Sequence, residues 1–206
     1  MSDTGGEFTF YPLSQLDPPT LEGVARLHLE AMPTLLSDLG LPFVVHYFQA
    51  AAADPSVIGF YTLLPGTNLA SGYVIGTPHP DRLMAQLHKP LPWFSGQLLR
   101  LLFSHPAVLF QLAVSAFSIS GQLPNDPGVI EVSFESISPL ARGQGLGVAL
   151  MRHYLDACRA AGYHSCELSV ETNNQAAVSM HKKVGFKVIR TFREGRFERH
   201  RMVILL

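Results

Sequence analysis

One run, Ser136-Ile137-Ser138-Pro139-Leu140-Ala141-Arg142-Gly143-Gln144-Gly145-Leu146-Gly147, constrains the architecture of this chain more than any other. Ahead of it, Ile130, Val132 and Phe134 alternate with Glu131, Ser133 and Glu135, the period of a half-buried strand. Behind it, Leu146, Leu150, Tyr154, Ala157 and Ala161 recur on one helical face, and Gly162 stands where that helix should end. The run therefore joins a strand to a helix. Gly143, Gly145 and Gly147 carry no Cβ, so successive backbone amides and the positive end of the helix can converge on a phosphate. The loop announces a phosphorylated ligand.

The spacing of the glycines restricts which one. A dinucleotide fingerprint needs a third glycine one position later than Gly147, where Val148 stands, and a Walker loop needs a Lys-Ser or Lys-Thr pair that is absent. Arg142 to Gly147 reads instead as Arg-x-x-Gly-x-Gly, and further on lies Asn174-Gln175-Ala176-Ala177, a helical segment that ends in Gly185-Phe186. The two segments, in this order, resemble the signature of the GNAT N-acetyltransferase family over roughly residues 129–190, and Leu27 to Pro33 resembles the first helical region of some members.

That resemblance implies an acyl-CoA N-acyltransferase fold, an α/β domain with a mixed central sheet, one splayed strand and flanking helices. It implies acetyl-CoA as cosubstrate, held by Ile137, Ser138, Arg142, Gly143, Gln144, Gly145, Leu146, Gly147 and Val148, with Asn174 orienting the cofactor arm. The reaction implied is direct attack of a small-molecule primary amine on the thioester. A non-catalytic acyl-CoA-binding module and a protein N-terminal or lysine acetyltransferase are the alternatives, and a longer acyl chain is compatible with the same loop. Asn174 also suits a helix N-cap, and one reading does not displace the other.

Length and composition fit one domain spanning 1–206: 206 residues, 47% hydrophobic and 15% charged, supply a substantial core. A net charge of −1 gives no global field to recruit nucleic acid. Eight of the fifteen basic residues nevertheless fall at Lys182, Lys183, Lys187, Arg190, Arg193, Arg196, Arg199 and Arg201, either a solvated strand face or part of an acceptor site for an anionic substrate. Cys158 and Cys166 lack neighbours at metal-ligand spacing and read as reduced thiols, with no metal site. Met1 to Glu7 has neither a basic region nor an apolar stretch, so the expected location is the cytoplasm.

Along the chain, Phe8 to Tyr11 is expected to open the sheet, Asp17-Pro18 to cap a first helix with Leu21, Val24, Ala25 and His28 inward, and Leu41 to Ala53 to form a second. Ser56 to Leu63 and Asn68 to Gly76, separated by Pro65-Gly66, read as a hairpin. Residues from about 78 to 127 are an insertion in the family core, with helical stretches at Leu83 to Leu87, Gly96 to Phe103 and Ala107 to Phe117 divided by Pro90, Pro92 and Pro106. No stretch reaches the roughly 20 apolar residues of a membrane span. Two roles stay open for these helices: a lid or homodimer surface over the acceptor end, or peripheral membrane contact through Trp93, Phe94, Leu98 and Phe103. Ser165 to Val170, Phe186 to Phe192 and His200 to Leu206 complete the strands.

Ile137 falls out of phase with Ile130, Val132 and Phe134, which predicts a β-bulge near Glu135 or Ser136 and a splay beyond it. With the splay that the resemblance implies, the N–H of Ile137 is then a candidate oxyanion donor for the thioester carbonyl. Glu131 takes the position of a glutamate base in histone-type members, with Glu135 on the same face unless the bulge intervenes. His181 stands where many members carry a tyrosine acid. Its reference pKa of about 6.5 against roughly 10 changes that chemistry. A surface glutamate and a surface histidine are the plain alternatives for Glu131 and His181.

Overall fold

The computed structural model describes residues 8–104, 126–195 and 197–206. Helix α1, Pro18–Ala31, begins as the sequence predicts: Asp17 caps it by accepting from the Thr20 N–H at 2.9 Å, and Pro18 needs no donor in the first turn. Its stripe of Leu21, Val24, Ala25, Leu27 and His28 is buried against α3, Leu41–Ala53, which contributes Phe43, Val44, Tyr47, Phe48 and Ala51. A short helix α2, Leu35–Asp38, turns the chain between them.

Strand β2, Ile58–Leu63, and β3, Ala70–Thr77, form the expected antiparallel hairpin. The opening strand β1 is shorter than expected, with only Tyr11–Pro12 paired to β2. In the insertion, α4 spans Pro80–Ala85 and α5 spans Leu91–Ser104. Pro92 does not divide helices as predicted. It lies in the first turn of α5, where no intrahelical donor is lost. Trp93 and Phe94 turn inward onto Phe43, at ring separations of 5.2 and 6.1 Å, so these two side chains cover α3. The stretch from Ala107 to Phe117 lies outside the described residues, as do the side chains of Leu98 and Phe103.

The second half contains β4, Val129–Ile137; α6, Leu146–Ala160; β5, Ser165–Glu171; α7, Gln175–Val184; β6, Lys187–Glu194; and β7, Phe197–Leu205. The sheet order is β1-β2-β3-β4-β5-β7-β6, with β4 and β5 parallel and the other neighbours antiparallel. One face packs on α1 and α3. The other carries Val74, Ile130, Val132, Cys166 and Leu168 against Leu150, Met151, Tyr154, Leu155 and Cys158 of α6 and Val178 of α7. Each large side chain so buried contributes roughly 1.5–3 kcal/mol, which makes α6 the principal support of that face. Cys158 rather than Ala161 completes its buried stripe.

The bulge exists, but not where the sequence phase placed it. Ile75 pairs with Phe134 and Gly76 with Val132, so Ser133 is the extra residue on β4. The chain can bend here because Gly76 is bare: a Cβ on it would fall 2.0 Å from the Tyr154 hydroxyl and 2.7 Å from the Glu131 carbonyl oxygen. Parallel pairing of β4 with β5 runs from Val129↔Ser165 to Val132↔Leu168, and among the described residues it stops there. Beyond it the strands open.

Candidate active site

The opening between the strands leads into a cavity of about 690 Å³. It is lined by Ile137, Ala141, Arg142, Gly143, Gly145, Leu146, Gly147 and Val148, by Ala31, Met32, Pro33 and Thr34, and by Val132 to Ser136 and Leu168 to Glu171. A sheet split along a parallel pair thus brings the glycine-rich loop and the loop after α1 to one space.

The loop has the geometry of an anion cradle. Gly143 and Gly145 have φ of +76° and +82°, a left-handed backbone that glycine adopts without strain, and nothing lies within 4 Å of where their side chains would project. In α6 the Ala149 N–H bonds Gly145 at 3.1 Å, which leaves the amides of Leu146, Gly147 and Val148 in the exposed first turn. Arg142 is tied back by its Nε to the Ile137 carbonyl at 3.2 Å.

Two expected cradle residues do not line the cavity. Ser138 caps the short turn Pro139–Ala141, with its Oγ accepting from the Leu140 N–H at 3.4 Å, and Gln144 folds its amide onto the Leu140 carbonyl at 3.3 Å. They shape the loop from outside. Asn174 caps α7, accepting from the Ala177 N–H at 3.2 Å, and also lines the cavity.

The backbone of β4 supplies donors to the opening. The Ser138 N–H bonds the Ser71 carbonyl at 2.9 Å, which makes Gly72 and Ile137 a non-hydrogen-bonded pair of the antiparallel ladder. The N–H of Ile137 consequently points away from β3, toward the gap where β5 has diverged. By the same alternation the N–H of Glu135 points there too.

The two glutamates are separated by the bulge. Inserting Ser133 puts Glu131 on the α1/α3 face and Glu135 on the α6/α7 face. Glu135 meets His181: Oε2 lies 2.8 Å from Nε2, and the side chains are 9% and 7% exposed. His181 is therefore no surface residue. The second carboxylate oxygen of Glu135 and the Nδ1 of His181 are buried with no hydrogen-bond partner among the described residues. Both residues line the cavity.

Glu131 is committed elsewhere. Its oxygens take Nη1 and Nη2 of Arg201 at 2.6 and 3.1 Å, while the same guanidinium donates to Glu167 at 2.9 Å and Ser169 at 3.1 Å. Burial pulls the Arg201 pKa down, but the hydrogen bonds and charges of Glu131 and Glu167 outweigh that and raise it. Glu131 is not among the lining residues.

Sequence reasoning missed Thr34, Ser133, Ser169 and Glu171, all at the cavity wall, where Arg199 of the basic cluster also lies. Thr34 had no local signal. Its hydroxyl lies 3.2 Å from Nε2 of the buried His28, whose Nδ1 lies 2.7 Å from the Tyr73 hydroxyl, a chain that pins the wall after α1 to β3.

Residues 112–186 match the sequence model of the acetyltransferase (GNAT) family. An L-methionine sulfoximine/L-methionine sulfone acetyltransferase of Pseudomonas aeruginosa is 36% identical over 47 residues, 23% of this chain and 27% of that protein. A mycothiol acetyltransferase of Paenarthrobacter aurescens is 37% identical over 60 residues, 29% of this chain and 19% of that protein. The matches thus span 19% to 27% of these relatives' length. The crystal structure of Arabidopsis thaliana NAA60 in complex with acetyl-CoA superimposes with a TM-score of 0.62 at 12% identity, over 97% of this chain and 99% of that one.

Proposed function

We propose that this chain, a GNAT-family protein by its matched segment and its fold, is an acetyl-CoA-dependent N-acetyltransferase acting on the primary amine of a small molecule. The observation that carries the reading is one cavity bordered by an anion cradle, outward-turned β4 amides and a buried carboxylate–imidazole pair. The named relatives, which act on methionine sulfoximine and mycothiol, support a small acceptor.

Gly143 to Val148 bind the pyrophosphate of the cosubstrate through backbone amides, and the Ile137 N–H stabilises negative charge on the thioester oxygen. The amine nitrogen bonds to the carbonyl carbon, the C–S bond breaks with its electrons going to sulfur, and the proton lost by nitrogen ends on that sulfur. Glu135 and His181 carry this proton, with the imidazole Nε2 and the carboxylate Oε2 sharing it. This assigns to Glu135 the base role that family position suggests for Glu131, because the carboxylate of Glu131 is spent on Arg201.

Transfer is direct. Cys158 and Cys166, the only cysteines, lie in the core beneath α6, and burial pushes the Cys158 thiol up to about 11 and that of Cys166 well above its ordinary value, so neither offers a thiolate to the cavity. Release of free CoA thiol from acetyl-CoA, followed across a panel of primary amines, tests the assignment. Amine-dependent release is expected, whereas calorimetric binding of acetyl-CoA with no release would leave an acyl-CoA-binding module.

A further inference from the structure

We infer that Arg201 is a positioning residue, a clamp across β4, β5 and β7 that fixes where the sheet splits and so keeps Glu135 within reach of His181; its effect on catalysis rests on the transferase reading above. The guanidinium divides its donors among neighbouring strands. Nη1 and Nη2 reach Glu131 of β4 at 2.6 and 3.1 Å, Nε reaches Glu167 of β5 at 2.9 Å with Nη2 2.8 Å from the same residue, and Nη1 also reaches the Ser169 hydroxyl at 3.1 Å. These contacts match the five N–H groups that a guanidinium carries.

Register puts the clamp at the fork. Glu131 and Glu167 are neighbours in the parallel ladder, one pair before Val132 and Leu168, where the pairing of β4 with β5 stops among the described residues. Two carboxylates side by side would push these strands apart, and the guanidinium between them turns that repulsion into a tie. Ser133 and Ser169, the next residue on each strand, already line the cavity. Past them β4 follows β3 as far as Ile137 and β5 follows β7 as far as Glu171, so each strand leaves the fork held by its other neighbour. Strand β7 stands two strand spacings from β4, about 9.5 Å, a span that an arginine and a glutamate cover together.

The proton pair straddles the same gap. Glu135 stands on β4, whereas His181 stands on α7, the helix that follows β5, and their 2.8 Å contact joins the two sides of the opening. A fork that ran back toward Val129 would let β4 swing from β5 and carry the carboxylate off the imidazole, and a misplacement of about 1 Å can cost on the order of 10²-fold in rate. The partners of Arg201 all lie outside the cradle of Gly143 to Val148, so affinity for acetyl-CoA is a separate quantity. Glu131 thereby acts as a tie and not as a base.

The test compares Glu131→Ala with Glu131→Gln in the full chain. Alanine unties β4 while Arg201 stays paired with Glu167, so no buried charge is stranded, and the amide oxygen of glutamine still accepts from Arg201. Amide hydrogen exchange over residues 129–133 and 165–169 should quicken about tenfold in Glu131→Ala and stay near wild type in Glu131→Gln, with the β2–β3 hairpin within about twofold in both. CoA-thiol release with the best amine of the panel should show kcat lowered about tenfold in Glu131→Ala and within about threefold of wild type in Glu131→Gln, at a calorimetric Kd for acetyl-CoA changed less than about twofold. Unchanged exchange at the fork or unchanged kcat in Glu131→Ala overturns the inference, as does an equal loss of kcat in both variants, which would make Glu131 the base. A wild type that releases no thiol with any amine would bring down the transferase reading instead, and the exchange comparison would still decide whether Arg201 is the clamp.

Discussion

Two buried histidines show how surroundings decide what one side chain is for. His28 is fully buried among Phe48, Phe134 and Tyr73, with hydroxyls as its partners, and burial alone pulls its pKa down to about 4. It is a neutral strut. The unfolded chain binds a proton at this residue near pH 6.5 while the folded chain does not until about pH 4, so stability is full above the upper value and falls as pH drops between them. The loss should reach about 3 kcal/mol, read by urea denaturation at a series of pH values, and His28→Gln should flatten the slope in that window. An identical slope in the variant would remove His28 as its source. His181 faces a carboxylate instead, which suits proton transfer. His181→Ala and Glu135→Gln should each lower kcat on the order of 10²-fold with little change in acetyl-CoA affinity. In the proposed mechanism the two residues act as a unit, so the double variant should be scarcely worse than either single one. Fully additive losses would show that they act separately.

At the scale of elements, the bulge in β4 is the part on which the site depends, and its support comes from a helix across the sheet. A Cβ on Gly76 would take the space of the Tyr154 hydroxyl, so Gly76→Ala should destabilise the fold by roughly 1–3 kcal/mol through overpacking. Adding Tyr154→Phe should restore part of that loss but not all, since the Glu131 carbonyl remains 2.7 Å from the added carbon. Denaturation midpoints of the single and double variants measure it, and full recovery or none would contradict this packing. The alternation of Ile130 to Phe134 made the strand legible, and the phase of Ile137 made a bulge legible. Its position was not, because Glu131, Ser133 and Glu135 are all polar and the inserted residue can be any of them without disturbing the apolar pattern.

For the whole molecule, the half that binds the cosubstrate could be read from sequence because backbone geometry writes itself into glycine spacing and helix caps. The acceptor half could not. Thr34, Glu171 and Arg199 come from segments far apart in the chain and line one cavity, Glu171 and Arg199 through the pairing of β5 with β7, while Glu131 looked like a base until Arg201, from the last strand, claimed it. In the proposed function both substrates occupy one cavity and react without a covalent stop on the protein. Single turnover with acetyl-CoA labelled in the acetyl carbonyl, followed by mass spectrometry of protein and amine together, tests this most directly. The account predicts label on the amine nitrogen, one CoA thiol released per label transferred, and a protein of unchanged mass; label left on the protein, or bound acetyl-CoA that never reacts with any amine, would contradict it.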